Sequence, residues 1–351
     1  MKTNQLILAA ALVALAACTK DNVVSNNETL DNEIGFNAVT KMATKANNAI
    51  ITGNTYSTDN TFKVWGWQSP VGDFSEFADN AASNFMSNLT ISWCGGPSSR
   101  ADAWRNSANY YYWPYTGKIG FLAIHPSDVA PSTTGWDATN DKPNATIADY
   151  TISAANDSTD LMFACAEGSR RADALPLTFN HALSQIQFRV MTYDDYHTDM
   201  QFSIDSIKIN NIDLSGDVSY SNATITWSDN TDQDDNWDYF KTTQVATYAA
   251  SQTDAALYGR AHVMIPQAAH ADDPATEGVI EGTTLTIGYT MQQLPANANA
   301  PISGTVEVSA SQEWLAGKRY VYTLCFNLNE ITFNPTVNTW VDVNVDTINI
   351  P

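Results

Sequence analysis

The side chains that could bind a metal or transfer protons are spread along the chain rather than grouped in a motif. Histidines occur at positions 125, 181, 197, 262 and 270, and none forms an HxxxH or HExxH pair. Zinc sites in proteins usually depend on such close spacing. We therefore predict no metal site of this kind. His125 and His181, which fall in or beside expected strands, are interpreted as hydrogen-bonded structural residues.

Aspartates crowd one loop in the second half of the chain, at positions 229, 232, 234 and 235. Carboxylates suit Ca²⁺, but the spacing of an EF-hand fails because Asp234 occupies the position that needs glycine. A solvated acidic loop is the favoured interpretation, and a calcium site within 229–238 stays open.

Other signs of catalysis or nucleic-acid binding are weak. The sequence contains no GxSxG, Walker or GxGxxG motif, which are the usual marks of nucleophilic or nucleotide chemistry. Acids abound, but nothing selects the facing pair that a glycosidase needs. Acidic residues outnumber basic ones 38 to 17, giving a net charge of −21, and this argues against a nucleic-acid partner. We predict a protein that is not an enzyme and holds no cofactor.

Cys18 stands where a secretory signal would end. Lys2 precedes the apolar run Leu6–Ala17, and Cys18 follows at once. A run of this length is too short to span a bilayer. The segment Leu15–Cys18 resembles a bacterial lipoprotein box, in which the cysteine becomes the new N-terminus and carries acyl chains. The alternative is an ordinary signal peptide with a coincidental cysteine.

We therefore predict a signal peptide over 1–17, lipidation at Cys18, and a flexible tether over 18–33 that is too polar to fold. The acyl chains are the only membrane attachment that the sequence predicts. The remaining cysteines, Cys94, Cys165 and Cys325, are widely spaced and form no CxxC. They are expected to be thiols in strands rather than a disulfide framework.

In the segments that position these residues, apolar and polar side chains alternate with a period of two residues. Ile186, Phe188 and Val190 alternate with polar residues, and similar alternation recurs through the chain between Gly, Pro and Asn turns. This pattern predicts an all-β fold of sandwiches. A basic, polar break near 172 divides it into an N-terminal β-sandwich over 34–172 and a C-terminal one over 173–351. A slip in phase between Ile204 and Ile207 predicts a β-bulge.

Aromatic residues concentrate in the predicted first domain, including Trp65, Trp67, Trp93, Trp104 and the run 110–113. If exposed, they could stack on sugars or on receptor side chains. Burial in the sandwich core is the favoured alternative.

An ordered set of short segments runs the whole length of the chain. It comprises Leu15–Cys18, Ile34–Phe36, Phe62–Trp67, Tyr112–Pro114, Gly120–Pro126, Asp160–Ala164, Leu177–Leu183, Ile265–Gln267, Trp314–Tyr322, Ile331–Phe333 and Val337–Trp340. On these segments the chain resembles the fimbrillin family of Bacteroidetes, the subunits of type V pili, including the minor-fimbrium-like members.

The resemblance implies two transthyretin-like (Greek-key) β-sandwich domains in tandem, export to the outer membrane as a lipoprotein, and polymerisation by strand exchange. In the stem subunits of the family, a protease removes the first strand and a strand of a neighbouring subunit fills the groove. The removed strand would be 34–40, with Ile34, Phe36 and Ala38 on one face. The donor would be 339–350, with Val341, Val343 and Val345. The alternative is that both are permanent edge strands of one folded chain.

The chain departs from the family's pattern at the site where the protease would cut. Well-known stem subunits of the family are cut after an arginine, but the first arginine here is Arg100. The basic residues available are Lys41 and Lys45, so either a protease of different specificity acts there, or the chain stays uncut as an anchor or accessory subunit. We predict cleavage after Lys45.

The leading functional hypothesis is a surface fimbrial subunit that contributes to adhesion, with other fimbrial subunits, membrane lipid, and host receptors or glycans as partners. The alternative is a glycan-binding surface lipoprotein that does not polymerise.

Overall fold

The fold was analysed in a computed structural model. The structure describes residues 32–40, 56–69, 85–95, 102–155, 157–192, 199–228, 235–240, 243–248, 255–267, 282–294, 299–310, 313–326 and 331–339. All the regular elements in these ranges are β-strands, which confirms the all-β prediction. Within the same ranges no helix is long and apolar enough to cross a membrane.

The strands fall into an earlier and a later group. The earlier strands are β1 (Phe36–Thr40), β2 (Phe62–Ser69), β3 (Met86–Cys94), β4 (Ala103–Arg105), β5 (Lys118–His125), β6 (Thr133–Asp137), β7 (Lys142–Thr151), β8 (Met162–Gly168) and β9 (Leu175–His181). The later strands are β10 (Ser184–Thr192), β11 (Met200–Ile212), β12 (Ser215–Ser221), β13 (Thr224–Ser228), β14 (Asp235–Phe240), β15 (Gln244–Val245), β16 (Thr247–Tyr248), β17 (Ala256–Met264), β18 (Thr284–Gln293), β19 (Ile302–Ser309), β20 (Lys318–Phe326) and β21 (Ile331–Thr339).

Seven of the earlier strands form a closed barrel in the order β1-β4-β3-β2-β5-β8-β9. β1 closes it. This strand runs parallel to β9 from the pair Phe36–Leu175 to the pair Thr40–Phe179, and it meets β4 in antiparallel orientation at Phe36–Trp104. The first strand of the described residues therefore completes a barrel.

The strands β2, β5 and β8 are buried on both faces. On β5, Phe121 and Ala123 point into the barrel, whereas Leu122 and Ile124 belong to the larger core shared with the later strands. Double burial explains why β5 reads as a continuous apolar run instead of an alternating one.

Ten of the later strands form two facing five-stranded sheets. One has the order β16-β10-β20-β21 with β17 also on β10, and the other has the order β14-β11-β18-β19 with β15 on β11. Aromatic contacts join the two across the core: the Phe202 and Phe326 rings stack with centroids 5.3 Å apart, and Phe188 and Tyr239 lie 4.6 Å apart.

A four-stranded sheet, β13-β12-β7-β6, joins the earlier and later parts of the chain. β7 pairs with β12 from Thr151–Ser215 to Ala145–Tyr220. In addition, β9 lies beyond residue 172 and yet completes the barrel. Strands from both sides of residue 172 thus share one barrel and one sheet. The division into two domains at that residue stays a prediction.

The predicted bulge is present. The pairing of β11 with β18 shifts register between Ile204 and Ser206, which confirms the phase slip read from the sequence. Gly288 lies opposite, where a Cβ atom would come within 2.5 Å of the Ser206 Oγ. A side chain at position 288 would therefore require the Ser206 hydroxyl to rotate away from its place in the bulge.

β12 and β13 form a tight hairpin. Its two turn residues, Asn222 and Ala223, both have positive φ, 50° and 60°. Two-residue turns of this kind favour Asn-Gly because both positions need the left-handed region.

We expect Ala223→Gly to raise the free energy of unfolding by about 0.5–1 kcal/mol, since glycine removes the steric cost of positive φ. Urea unfolding followed by circular dichroism measures the change. The matched control is Ser219→Gly within β12, which should lower stability because glycine weakens a strand interior. A loss of stability in Ala223→Gly would contradict this assignment of the turn.

Candidate functional site

The residues predicted for the removable strand form one buried face. Ile34, Phe36 and Ala38 are 3%, 0% and 3% exposed, and Asn37 between them is exposed. All three belong to the core of the barrel. This alternation follows from the two-residue period of a strand that has the barrel interior on one side and solvent on the other.

Phe36 lies at the centre of an aromatic cluster. Its ring contacts Phe121 and Phe62 edge-on, with centroids 5.1 and 6.1 Å away. Tyr56 and Phe179 complete the cluster, stacked with centroids 5.0 Å apart. Edge-to-face pairs of this kind add to the free energy gained by apolar burial. Phe36 is thus the main apolar anchor of β1.

The backbone of this segment is bonded beyond β1 itself. The Leu175 amide donates to the Gly35 carbonyl at 2.7 Å, and the Ile34 amide donates to the Tyr111 carbonyl at 2.7 Å. The Trp113 amide donates to the Asn32 carbonyl at 2.9 Å. Residues 32–40 therefore occupy a slot with backbone partners on both sides.

A buried ion pair closes one end of the slot. Arg105 Nε lies 3.5 Å from Glu33 Oε2, and the two side chains are 7% and 3% exposed. The guanidinium also lies against the backbone of Gly35, where a Cβ atom would stand 3.0 Å from Arg105 Nη2 and 3.0 Å from Ala103 Cβ. Sequence reasoning missed this pair, because nothing in the local pattern brings Glu33 next to Arg105.

The other predicted site residues lie outside the described residues. These are Cys18, Lys41, Lys45, Val341, Val343 and Val345. The last described strand, β21, pairs along its whole length with β20, from Ile331–Phe326 to Thr339–Lys318. The predicted donor segment directly follows it in the sequence.

His125 and His181 are buried and hydrogen-bonded, as interpreted. His125 Nδ1 lies 2.7 Å from the Tyr56 hydroxyl and 3.0 Å from the Thr61 carbonyl oxygen. Burial lowers the pKa of His125 below its ordinary value because the charged form is poorly solvated there. His181 Nδ1 is hydrogen-bonded to the Asp160 carboxylate. Both histidines help to hold the end of the barrel together.

A second polar cluster links the segment after β7 to β17. The Asp157 carboxylate accepts two hydrogen bonds from Arg260 Nη2, at 2.5 and 2.7 Å, and its Oδ2 lies 2.6 Å from His262 Nδ1. Asp157 and His262 are 2% and 4% exposed. Burial, opposed in part by the Asp157 carboxylate, lowers the pKa of His262 to about 4. The cluster is an ion pair with a neutral histidine, which suits a structural role.

This low pKa predicts an acid-sensitive fold. The unfolded chain binds a proton at His262 more readily than the folded chain, so the stability from neutral His262 is complete above about pH 6.5 and is lost as the pH falls toward about 4. We expect a loss of up to about 3 kcal/mol over that range. Urea unfolding at several pH values should show a flatter curve for His262→Gln than for the unchanged protein. Parallel curves would contradict the assignment.

Within the described ranges, no group of three or more His, Cys, Asp or Glu side chains could hold a metal ion. Cys94, Cys165 and Cys325 form no disulfide. Of the eight aromatic residues singled out in the sequence, four are buried: Trp65, Trp67, Trp104 and Trp113. Tyr110 and Tyr112 are exposed, as is Tyr115, which follows them in the same segment.

The fold and the slot define the class: an all-β protein in which a strand near the N-terminus completes a barrel. Residues 40–340 match the family described as fimbrillin-like, and the chain belongs to this family, which confirms the resemblance seen in the sequence.

Two relatives illustrate the similarity. The fimbrium subunit Fim1C of Phocaeicola vulgatus is 22% identical over an alignment that covers 100% of both chains. The crystal structure of a fimbrial protein from Bacteroides vulgatus has a similar fold, with a TM-score of 0.61 and 18% identity over 88% of this chain and 100% of that one.

Proposed function

We propose that this chain is a fimbrial subunit at the cell surface, which assembles with other subunits by exchange of β-strands and contributes to adhesion. Membership of the fimbrillin-like family supports the fimbrial role, as does the similarity to a fimbrium subunit. The observation that carries the proposal is the placement of β1, a single strand that closes a barrel with its apolar face fully buried.

Removal of β1 would leave a slot with two kinds of unsatisfied group. The backbone of β9 would lose a parallel partner over five residue pairs, and the pockets of Ile34, Phe36 and Ala38 would face water. Unpaired strand edges readily accept an added strand. Each large apolar side chain that refills a pocket contributes about 1.5–3 kcal/mol. The slot is therefore suited to bind an extended, alternating segment.

The donor in this proposal is 339–350 of a neighbouring subunit. Val341, Val343 and Val345 recur at every second position, so they would share one face if the segment paired as an extended strand. The segment begins where β21 ends, at Thr339. A subunit can therefore keep its own β21 in place and offer the residues beyond it to another copy.

Lipid attachment and strand removal are coupled in this scheme. Cys18 carries the acyl chains that hold the precursor to the outer membrane, by burial of methylene groups. Cleavage after Lys45, or after Lys41, removes the lipid, the tether and β1 together. One cut would thus release the subunit from the membrane and open its slot.

Intact-mass analysis of surface-released polymer tests the proposal. We expect mature chains that begin at Ala46 and that run as ladders resistant to SDS. Replacement of both Lys41 and Lys45 by alanine should retain the lipidated precursor and abolish the ladder. Lys63→Ala, on the barrel strand β2, is the control. Ladders built of chains that still begin at Cys18 would contradict cleavage as the opening step.

A second candidate function is glycan binding without polymerisation. It is favoured by the exposed tyrosines, of which Tyr115 is 85% and Tyr110 59% exposed. The Arg170 guanidinium carbon lies 5.2 Å from the centre of the Tyr115 ring, within the range of a cation–π contact. Retardation of a soluble monomer in polysaccharide affinity gels, lost in Tyr115→Ala, would select this function over the first.

A further inference from the structure

We infer that the exposed tyrosine segment (residues 110–115) changes its conformation when the precursor is cleaved. Residues 32–34 hold this segment in the precursor, and the strand that later fills the slot does not hold it again. The inference rests on the proposed cleavage and strand exchange. It adds a change on the outside of the barrel, so that a subunit in the fibre differs from its precursor at the exposed tyrosines.

The tyrosine segment is bonded through its backbone to the residues that cleavage would remove. The Tyr111 carbonyl accepts a hydrogen bond from the Ile34 amide at 2.7 Å. The Trp113 amide donates one to the Asn32 carbonyl at 2.9 Å. Among the described residues, the one β-pairing of the whole loop 106–117 is an isolated antiparallel bridge to the same removable segment. Cleavage therefore takes away the backbone partners of this loop.

The Asn32 side chain holds the tyrosine segment at a further point. Arg170 Nε donates to Asn32 Oδ1 at 2.8 Å, and the same guanidinium lies over the Tyr115 ring. Asn32 thus joins the tyrosine segment, through its carbonyl, to Arg170, through its side chain. Tyr115 and Arg170 are both exposed, and an exposed cation–π contact contributes little by itself. Loss of Asn32 is therefore expected to loosen this contact too.

Trp113 limits the change to the loop. Its ring is 5% exposed and meets Phe121 edge-on inside the barrel, with centroids 5.8 Å apart. This apolar anchor does not involve residues 32–34, so it attaches the loop to the barrel after cleavage. Segments with few backbone hydrogen bonds open locally without unfolding of the core. We therefore expect the backbone of the tyrosine segment to open while the barrel strands stay paired.

A steric restriction makes the change permanent. A Cβ atom at Gly35 would stand 3.0 Å from Ala103 Cβ, which cannot turn away because it is fixed to the backbone of β4. The donor segment 339–350 contains no glycine. It can occupy positions 36–40, where β1 buries three side chains, but it must leave the path of the removed segment at position 35. The hydrogen bonds to the tyrosine segment are therefore not restored.

Hydrogen exchange followed by mass spectrometry tests the inference on full-length precursor and on assembled fimbriae. The precursor is the double variant Lys41→Ala with Lys45→Ala, and the fimbriae are purified from the cell surface. The Trp113 amide, followed in overlapping peptides of 107–117, should exchange at least about tenfold faster in the fimbriae, because it has lost its hydrogen bond. Peptides of β5, which pairs with β2 and β8, are the internal control and should exchange alike in both forms.

A substitution in the uncleaved precursor separates the steric step from cleavage. Gly35→Val, added to the double variant, places a side chain where the incoming strand would bring one. The Trp113 amide should then exchange as fast as in fimbriae, with β5 unchanged. Asn37→Val is the matched control, because the Asn37 side chain is exposed in the same strand, and it should leave the Trp113 amide protected.

The outcomes are distinguishable. Absence of SDS-resistant ladders would overturn the proposed strand exchange and this inference with it. Normal ladders of chains that begin at Ala46, together with equal exchange of the Trp113 amide in precursor and fimbriae, would overturn the inference alone. It would also be overturned if Gly35→Val left that amide protected, or if β5 lost protection to the same extent.

Discussion

Replacement of Phe36 by alanine is expected to lower the free energy of unfolding by about 3–5 kcal/mol, the usual range for a large aromatic residue in a core. Phe36 is 0% exposed and contacts the rings of Phe62 and Phe121. The strand that carries it has few residues, so the loss also weakens the closure of the barrel. Urea unfolding of the uncleaved precursor measures the effect.

The control for this prediction is the neighbouring residue. Asn37 lies on the same strand with its side chain exposed, and Asn37→Ala should change the stability by no more than about 0.5 kcal/mol. Similar effects of the two substitutions would show that β1 does not contribute its apolar face to the barrel core.

Replacement of Asp157 by alanine is expected to cost about 2–3 kcal/mol, since it removes a buried carboxylate that accepts charge-assisted hydrogen bonds, whereas the Arg260 side chain left behind is 36% exposed and can be solvated. Asp157 accepts both hydrogen bonds from Arg260 and lies beside His262. The remaining cation would also make protonation of His262 less favourable. The midpoint of urea unfolding, measured near pH 7, reports the loss.

Asp173→Ala serves as the comparison, because Asp173 is exposed in the turn before β9. It should be close to neutral. If Asp157→Ala changed the free energy of unfolding as little as Asp173→Ala, the contact between the segment after β7 and β17 would not contribute measurably to stability. The apolar core alone would then hold these parts of the chain together.

Several elements could be predicted from the sequence because their signal is local. The alternation of Ile186, Phe188 and Val190 marks β10, and the slip between Ile204 and Ile207 marks the bulge in β11. The alternating Ile34, Phe36 and Ala38 indicated the buried face of the first strand. In each case a two-residue period records which side of a strand meets the core.

Other elements could not be predicted, because their cause lies elsewhere in the chain. β4 has only Ala103–Arg105, too short for any period to show. The hairpin of β12 and β13 has its turn at Asn222 and Ala223, which lacks the glycine that usually marks such a turn. The Glu33–Arg105 pair and the sheet that joins β7 to β12 depend on contacts between distant segments, which composition and periodicity do not record.

The sheet that joins β7 to β12 has a consequence for how the molecule melts. A fragment ending at residue 172 would lose both the strand that flanks β7 and the strand that lies beside β1. Neither half could keep its hydrogen bonds without the other. Differential scanning calorimetry of the precursor should therefore show one cooperative endotherm. The unfolding enthalpies of the two halves, expressed separately, should add up to less than that of the intact chain.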